Sequence, residues 1–166
     1  MRNMKNRTFM LATKSDTEEV LKLYRSVVGS EYCAWTDSYP SMETIDFDLQ
    51  RDALYVMRDE SGEIIGAITI DDDPDVNALP CWSKDLQGEP ELSRLVVRAD
   101  YQNQGMACDM IGKLMEILRV KGHSGIRYMV SKRNIKAMRS YSKLHAVQVG
   151  EAALFGDEFW CYEKRL

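Results

Sequence analysis

Apolar positions recur along the chain with two different spacings, and the switches between them mark out the elements. Val20, Leu21, Leu23, Tyr24, Val27 and Val28 follow the 3.6-residue period of one helix face. Just before them, Ser15-Asp-Thr-Glu-Glu19 predicts the helix start, with Ser15 or Asp16 accepting from first-turn N–H groups and Glu18 or Glu19 reaching back in a capping box. Gly29 stands where a helix-ending glycine would. Upstream, Arg7–Thr13 alternates weakly and predicts a short first strand. Glu31–Ser41, with Tyr32, Trp35, Tyr39 and Pro40, has no period and predicts an irregular loop. A second helix is expected over Met42–Arg51, then strands over Ala53–Arg58 and Glu63–Asp71 joined by the turn Asp59-Glu-Ser-Gly62.

Asp71–Gly88 shows turn residues and no sustained period, which predicts a long surface loop. Glu91–Arg98 predicts a strand, and the helix that follows it to Lys121 carries Ala107, Met110, Ile111, Leu114, Ile117 and Leu118 on one face. A strand over Ile126–Val130, a helix over Asn134–Leu144 and a closing hairpin of Ala146–Gly150 with Phe159–Arg165 complete the order β-α-α-β-β-β-α-β-α-β-β. Helices interleaved with strands in this way imply an α/β fold around a mixed, mostly antiparallel sheet. Repeats and low-complexity segments are absent.

The chain has 166 residues, 45% of them apolar and 29% charged, so one domain over 1–166 with a real core is expected. A net charge of −4 provides no general basic surface for nucleic acid. The charge is polarised, −9 over residues 1–90 and +5 over 91–166, which favours a polyanionic ligand on the second half and a cationic one on the first. Cysteines at 33, 81, 108 and 161 lack metal-knuckle spacing and predict buried, reduced thiols. The basic start Met1–Arg7 leads into an apolar stretch cut off at Lys14, too short for an export signal, and no later run approaches membrane-helix length. A soluble, cytoplasmic protein with no metal is expected.

The candidate chemistry lies in Leu95-Val-Val-Arg-Ala-Asp-Tyr-Gln-Asn-Gln-Gly-Met-Ala107. A strand running through a short loop into a helix leaves first-turn N–H groups and the helix dipole aimed at an anion, a geometry suited to pyrophosphate, although an ordinary strand-to-helix turn has the same outline. Gly105 lets the backbone approach a ligand, and small Ala107 keeps bulk away. The spacing from Gly105 to Gly112-Lys113 and the Leu at 114 exclude a P-loop. A Rossmann fingerprint, H-E-x-x-H and G-x-S-x-G are also missing.

Gln102-Asn-Gln-Gly-Met-Ala107 resembles the Q/R-x-x-G-x-G/A acetyl-CoA signature of the GNAT superfamily of N-acetyltransferases. Asn134, Ala137, Tyr141 and Lys143 match a later pattern of that family, and the element order is similar over nearly the whole chain. His145-Ala146 departs from it where Gly-Phe is common. The resemblance implies a three-layer α/β fold with a sheet of about six to seven strands flanked by about four helices. It also implies a role for acetyl-CoA as acetyl donor. Leu95, Val96 and Val97 would then offer backbone groups to the pantetheine arm, and Gln102, Asn103, Gln104, Gly105, Met106 and Ala107 would cradle the pyrophosphate. Asn134 would bind the pantetheine side, and Tyr141 would sit near the sulfur as general acid.

For the base, Glu91 resembles the glutamate of some histone-type members, with an exposed strand-end carboxylate or ordered water as the alternatives. An ammonium must lose its proton before it can attack a thioester. The amine acceptor, a small molecule or a peptide N-terminus or lysine, would meet Glu31, Tyr32 and Trp35, with Asp37 nearby, where an acidic aromatic wall suits a cation. The protein would act as a monomer or homodimer, without nucleic-acid or membrane partners. An acyl-CoA binding or sensing module without transferase activity is the alternative function.

Overall fold

The computed structural model describes Asn6–Leu166, so Met1–Lys5, the greater part of the basic start discussed above, lie outside the described residues. Seven strands and five helices follow in the order β1 (Thr8–Leu11), α1 (Thr17–Ser26), α2 (Met42–Gln50), β2 (Leu54–Arg58), β3 (Ile64–Asp71), α3 (Pro74–Asn77), β4 (Glu91–Val97), α4 (Met106–Val120), β5 (Gly125–Ser131), α5 (Ile135–Tyr141), β6 (Val147–Leu154) and β7 (Asp157–Arg165). Hydrogen bonding links the strands in the order β1-β2-β3-β4-β5-β7-β6. The β1–β2, β2–β3, β5–β7 and β6–β7 pairs are antiparallel, and β4–β5 is parallel through Glu91↔Arg127 and Leu92↔Tyr128. This is the mixed, mostly antiparallel sheet that the residue pattern implied.

The chain gathers into two units. One holds the chain up to Thr69 together with Arg94–Met110, and the other holds Ile70–Ser93 with Ile111–Leu166. In the first unit the alternation of strand side chains divides the core in two. Val20, Leu23 and Tyr24 of α1 and Ile45 of α2 pack with Leu54, Val56, Ile64, Ala67 and Val96. The neighbouring strand positions Met57, Ile65, Leu95 and Val97 join Met106 and Met110 of α4 in a second cluster. Each fully buried aliphatic side chain stabilises by about 1.5–3 kcal/mol. A Cβ on Gly66 would stand 2.8 Å from the Met110 sulfur and 3.3 Å from the Val96 carbonyl oxygen, so the methionine tip would have to shift to admit one.

In the second unit Val76, Trp82 and Cys161 form the centre, with Leu79, Cys81, Met129, Val149, Ala152 and Leu154 around them. Burial, with Cys81 beside it, pushes the Cys161 thiol up to about 12, so it stays protonated at neutral pH. The expectation of four buried thiols is corrected here: Cys33, Cys81 and Cys108 form no disulfide and are only half-buried.

Several elements differ from the sequence expectation. The capping box belongs not to Ser15 with Glu18 or Glu19 but to Thr13 and Asp16, on a 3₁₀ turn over Lys14–Asp16 that precedes α1. The Thr13 N–H donates to Asp16 at 2.8 Å, and Glu19 is engaged elsewhere, accepting from the Ile64 N–H at 2.8 Å. The predicted loop 71–88 contains α3, a single turn capped by Asp73, which accepts from the N–H groups of Asp75 and Val76. The α-helix after Asn134 stops at Tyr141 and tightens into a 3₁₀ turn over Ser142–Leu144. His145 then takes φ 55°, so the histidine occupies the left-handed turn without a glycine. The closing hairpin is longer than expected, because Phe155 (φ 55°) and Gly156 (φ 73°) make a two-residue turn with both residues left-handed, the arrangement that matches strand twist.

Asp16 also takes a 2.6 Å salt bridge from Arg58. Burial alone would raise its carboxyl, but the Arg58 contact and the Thr13 hydrogen bonds outweigh burial and hold it below the ordinary value. A depressed folded pKa contributes stability above the unfolded value of about 3.9, and this is lost as pH falls through the folded value. Asp16→Asn is therefore expected to cost about 1–3 kcal/mol at pH 7, with the gap to wild type closing in acid. Melting curves across pH check this; an equal deficit in strong acid would assign the loss to packing instead.

Candidate active site

The β4–α4 junction is built from local hydrogen bonds. After β4 the chain makes a 3₁₀ turn over Ala99–Tyr101, and the Gln102 side-chain amide returns to donate to the Val97 carbonyl at 2.9 Å. The Gln104 amide donates to the Asp100 carbonyl at 3.0 Å. Asn103 at φ 59° and Gly105 at φ 76° reverse the chain, and the Asp109 N–H reaches the Gly105 carbonyl to open α4. The N–H groups of Met106 and Ala107 precede that bond, on the turn where a helix receives an anion. Asn103, Gln104 and Gly105 are exposed, Ala107 is half-buried, and the Met106 side chain is anchored in the core. A Cβ on Gly105 would meet no heavy atom within 4 Å. The requirement for glycine is therefore its backbone conformation, not a lack of room.

Arg98 closes the base of the turn with bonds to Asp100 (2.8 Å) and Glu63 (3.1 Å). The Asp100 contact raises its guanidinium pKa against the effect of burial, so the charge is fixed. Arg98 and Arg7 both lie over the Tyr101 ring, at 5.0 and 5.2 Å.

In the same unit, Glu31 and Tyr32 are exposed on the loop before α2, as an acceptor wall would require. Trp35 is different. Its ring meets Tyr24 edge-on at 5.2 Å and packs against the α1 core, so it anchors the loop. Tyr39, Met42 and Phe47, not singled out from sequence, add exposed apolar area on this loop and α2. Sequence reasoning also passed over Asp48 and Arg94, which form a buried ion pair at 2.8 Å. A carboxylate on the Ile45 side of α2 was the available signal.

In the second unit, Tyr141 ends α5, half-buried, with its ring edge-on to Tyr128 at 5.7 Å, and Tyr128 stacks on Tyr162 at 5.3 Å. Asn134 caps α5, its Oδ1 accepting from the Ala137 N–H at 2.9 Å. Glu91 is no exposed strand-end carboxylate: it is buried, 4% exposed, opposite Arg127 in the β4–β5 ladder. Arg127 is buried too, donating to the Glu89 carbonyl at 2.8 Å and to Asn77 at 2.7 Å, with its guanidinium 5.2 Å from the Trp82 ring. Desolvation lowers its pKa while the Glu91 charge opposes that change.

A depression of about 560 Å³ lies at the β6–β7 turn, walled by Lys132, Arg133, Phe155 and Glu158. None of the residues assigned from sequence lines it, and its cations are already paired, Arg133 with Asp157 of the lining and Lys132 with Glu151 outside it. Among the described residues, no His, Cys, Asp and Glu group is arranged to hold a metal ion, and no helix is long and apolar enough to cross a membrane.

Comparison with solved structures shows the same fold at low identity. A GNAT-family acetyltransferase from Streptococcus agalactiae superposes with a TM-score of 0.79 at 17% identity, covering 99% of each chain. The protein yncA of Salmonella typhimurium, solved with its cofactor acetyl-CoA, gives 0.73 at 16% identity over 98% of this chain and 95% of that one. The ribosomal-protein-S18-alanine N-acetyltransferase of Escherichia coli gives 0.72 at 13% over 96% and 93%. No curated protein sequence matches. The acetyltransferase (GNAT) family model covers residues 20–146, from the first core residue of α1 to the residue before β6. With the cradle turn inside that span, the chain belongs to the acetyltransferase (GNAT) family.

Proposed function

We propose that the protein transfers an acetyl group from acetyl-CoA to a primary amine by direct attack, with both substrates bound at once. The observation that carries this is the exposed β4–α4 turn, where left-handed Gly105 stands beside unfilled space at the first turn of α4 in a chain of this family. Acetyl-CoA supplies an acetyl group already activated as a thioester. Residues 102–107 hold its pyrophosphate through backbone N–H groups. Leu95, Val96 and Val97 receive the arm through the strand backbone, and N–H groups near Val96 and Val97 take the carbonyl oxygen as charge develops on it. Asn134 steadies the arm. Glu91, directly or through water, takes the proton that the acceptor ammonium must lose, and Tyr141 gives a proton to the departing thiolate.

Exposed Glu31, Tyr32 and Asp37 support a cationic acceptor. Two structural neighbours are named for alanines of ribosomal proteins, so a peptide N-terminus belongs among the amines to test, beside small molecules and lysine. In this account residues 1–166 act as one cytoplasmic acetyltransferase domain, monomeric or homodimeric, without a metal.

Acetyl-CoA at about 100 times its dissociation constant is expected to stabilise the protein by roughly 2.7 kcal/mol. This is read as a rise in melting temperature that NAD or ATP does not match. No rise with acetyl-CoA, or equal rises with all three, would overturn the donor assignment.

A further inference from the structure

Arg94 sits inside β4 with φ 46°, a left-handed backbone that a long side chain adopts only at a cost of about 1–3 kcal/mol. Its side chain is buried against α2. Nε lies 3.2 Å from Asp48 Oδ2, and Nη2 lies 2.8 and 3.0 Å from the two carboxylate oxygens. Nη1 donates to the Tyr39 hydroxyl at 3.2 Å. Asp48, with no exposed surface, also accepts from Arg51 at 2.8 Å and from the Thr69 hydroxyl at 3.2 Å. One guanidinium thus joins β4, α2 and the loop that carries Glu31 and Tyr32.

Packing alone does not explain the arrangement. Ile45 on the same helix as Asp48 and Val96 on the same strand as Arg94 both belong to the apolar core, and an apolar pair in such a place is often as stable as a buried ion pair or more so. What the pair does accomplish is to hold a strained residue immediately before Leu95. If Arg94 relaxes to ordinary extended backbone, the N–H and C=O groups of Leu95, Val96 and Val97 turn with it, since strand direction alternates residue by residue.

We infer that Asp48, Arg94 and Tyr39 form a positioning cluster, which fixes the β4 backbone for the acyl-bearing arm of acetyl-CoA and ties the acceptor-side loop to the same guanidinium. The inference rests on the assignment of Leu95, Val96 and Val97 to that arm. The cluster touches no reacting atom.

Two probes separate the arm from the cradle: acetyl-CoA, and 3′-phosphoadenosine 5′-diphosphate, which is its nucleotide end without the arm. In isothermal titration wild type binds acetyl-CoA more tightly than the nucleotide. Asp48→Asn/Arg94→Gln, which leaves neither charge buried alone, is expected to lose about tenfold in acetyl-CoA affinity, the worth of roughly one hydrogen bond, with nucleotide affinity unchanged. Tyr39→Phe alters an exposed position and serves if the double variant does not fold; its expected loss is smaller and again confined to acetyl-CoA. Unchanged acetyl-CoA affinity, or a parallel fall for both probes, overturns the inference and leaves the donor assignment standing. Wild type that binds neither probe overturns the donor assignment, and the inference with it.

Discussion

Tyr141→Phe is expected to lower turnover by about 10²–10⁴-fold, the usual contribution of a positioned general acid, while acetyl-CoA affinity and melting temperature stay near wild type. The separation follows from the two ends of the side chain. The ring meets Tyr128 edge-on at 5.7 Å, and phenylalanine keeps that contact. Only the hydroxyl is lost. Steady-state turnover with an acceptor found by screening amines for CoA thiol release, together with titration of acetyl-CoA, checks the result. Unchanged turnover, with chemistry shown to be rate-limiting, would make Tyr141 a packing residue and remove the acid from the scheme.

Gly105→Val is expected to abolish the acetyl-CoA-dependent rise in melting temperature, a loss of more than about 100-fold in affinity. Two effects act together. Valine resists φ 76°, so the turn shifts or carries strain. In addition, its side chain projects into space that no protein atom occupies within 4 Å and that the diphosphate is assigned to fill. The turn is exposed and its core anchor is Met106, so the unliganded variant is expected to fold, somewhat less stable than wild type. A variant that melts lower but keeps the full acetyl-CoA response would place the cofactor elsewhere.

The parts legible in the sequence were those encoded over short distances with strong periods. The face of α4 and the glycine turn before it are both written within about twenty consecutive residues, and the structure has them where expected. Single-turn α3 is too short to show a period, so its Asp73-Pro74 start reads as loop in the sequence. The end of β6 was missed because Glu151, Ala152 and Ala153 have poor strand propensity and hold their place through pairing with β7. The start of α1 offers several interchangeable caps in sequence, whereas the Asp16 carboxylate is engaged by Thr13 and by Arg58, 42 positions away. The same limit hid the Asp48–Arg94 pair, 46 positions apart, and left burial at Glu91 unreadable, because that depends on Arg127 across a parallel ladder. Roles assigned by motif thus rested on local signals, whereas the surroundings of those residues are set by distant ones.

The chain leaves the first unit after Thr69, builds part of the second, returns for Arg94–Met110 and then departs again. No single cut therefore releases either unit as a continuous fragment, and both β4 and α4 are divided between them. A nascent chain ending before Met110 lacks one or both of the methionines that complete the Met57–Ile65 cluster, so that cluster must wait for the first turn of α4 to be synthesised. Closing the intervening loop costs entropy that grows only slowly with its length. Completion of the first core thus falls late in synthesis, and it coincides with formation of the turn assigned to the cofactor.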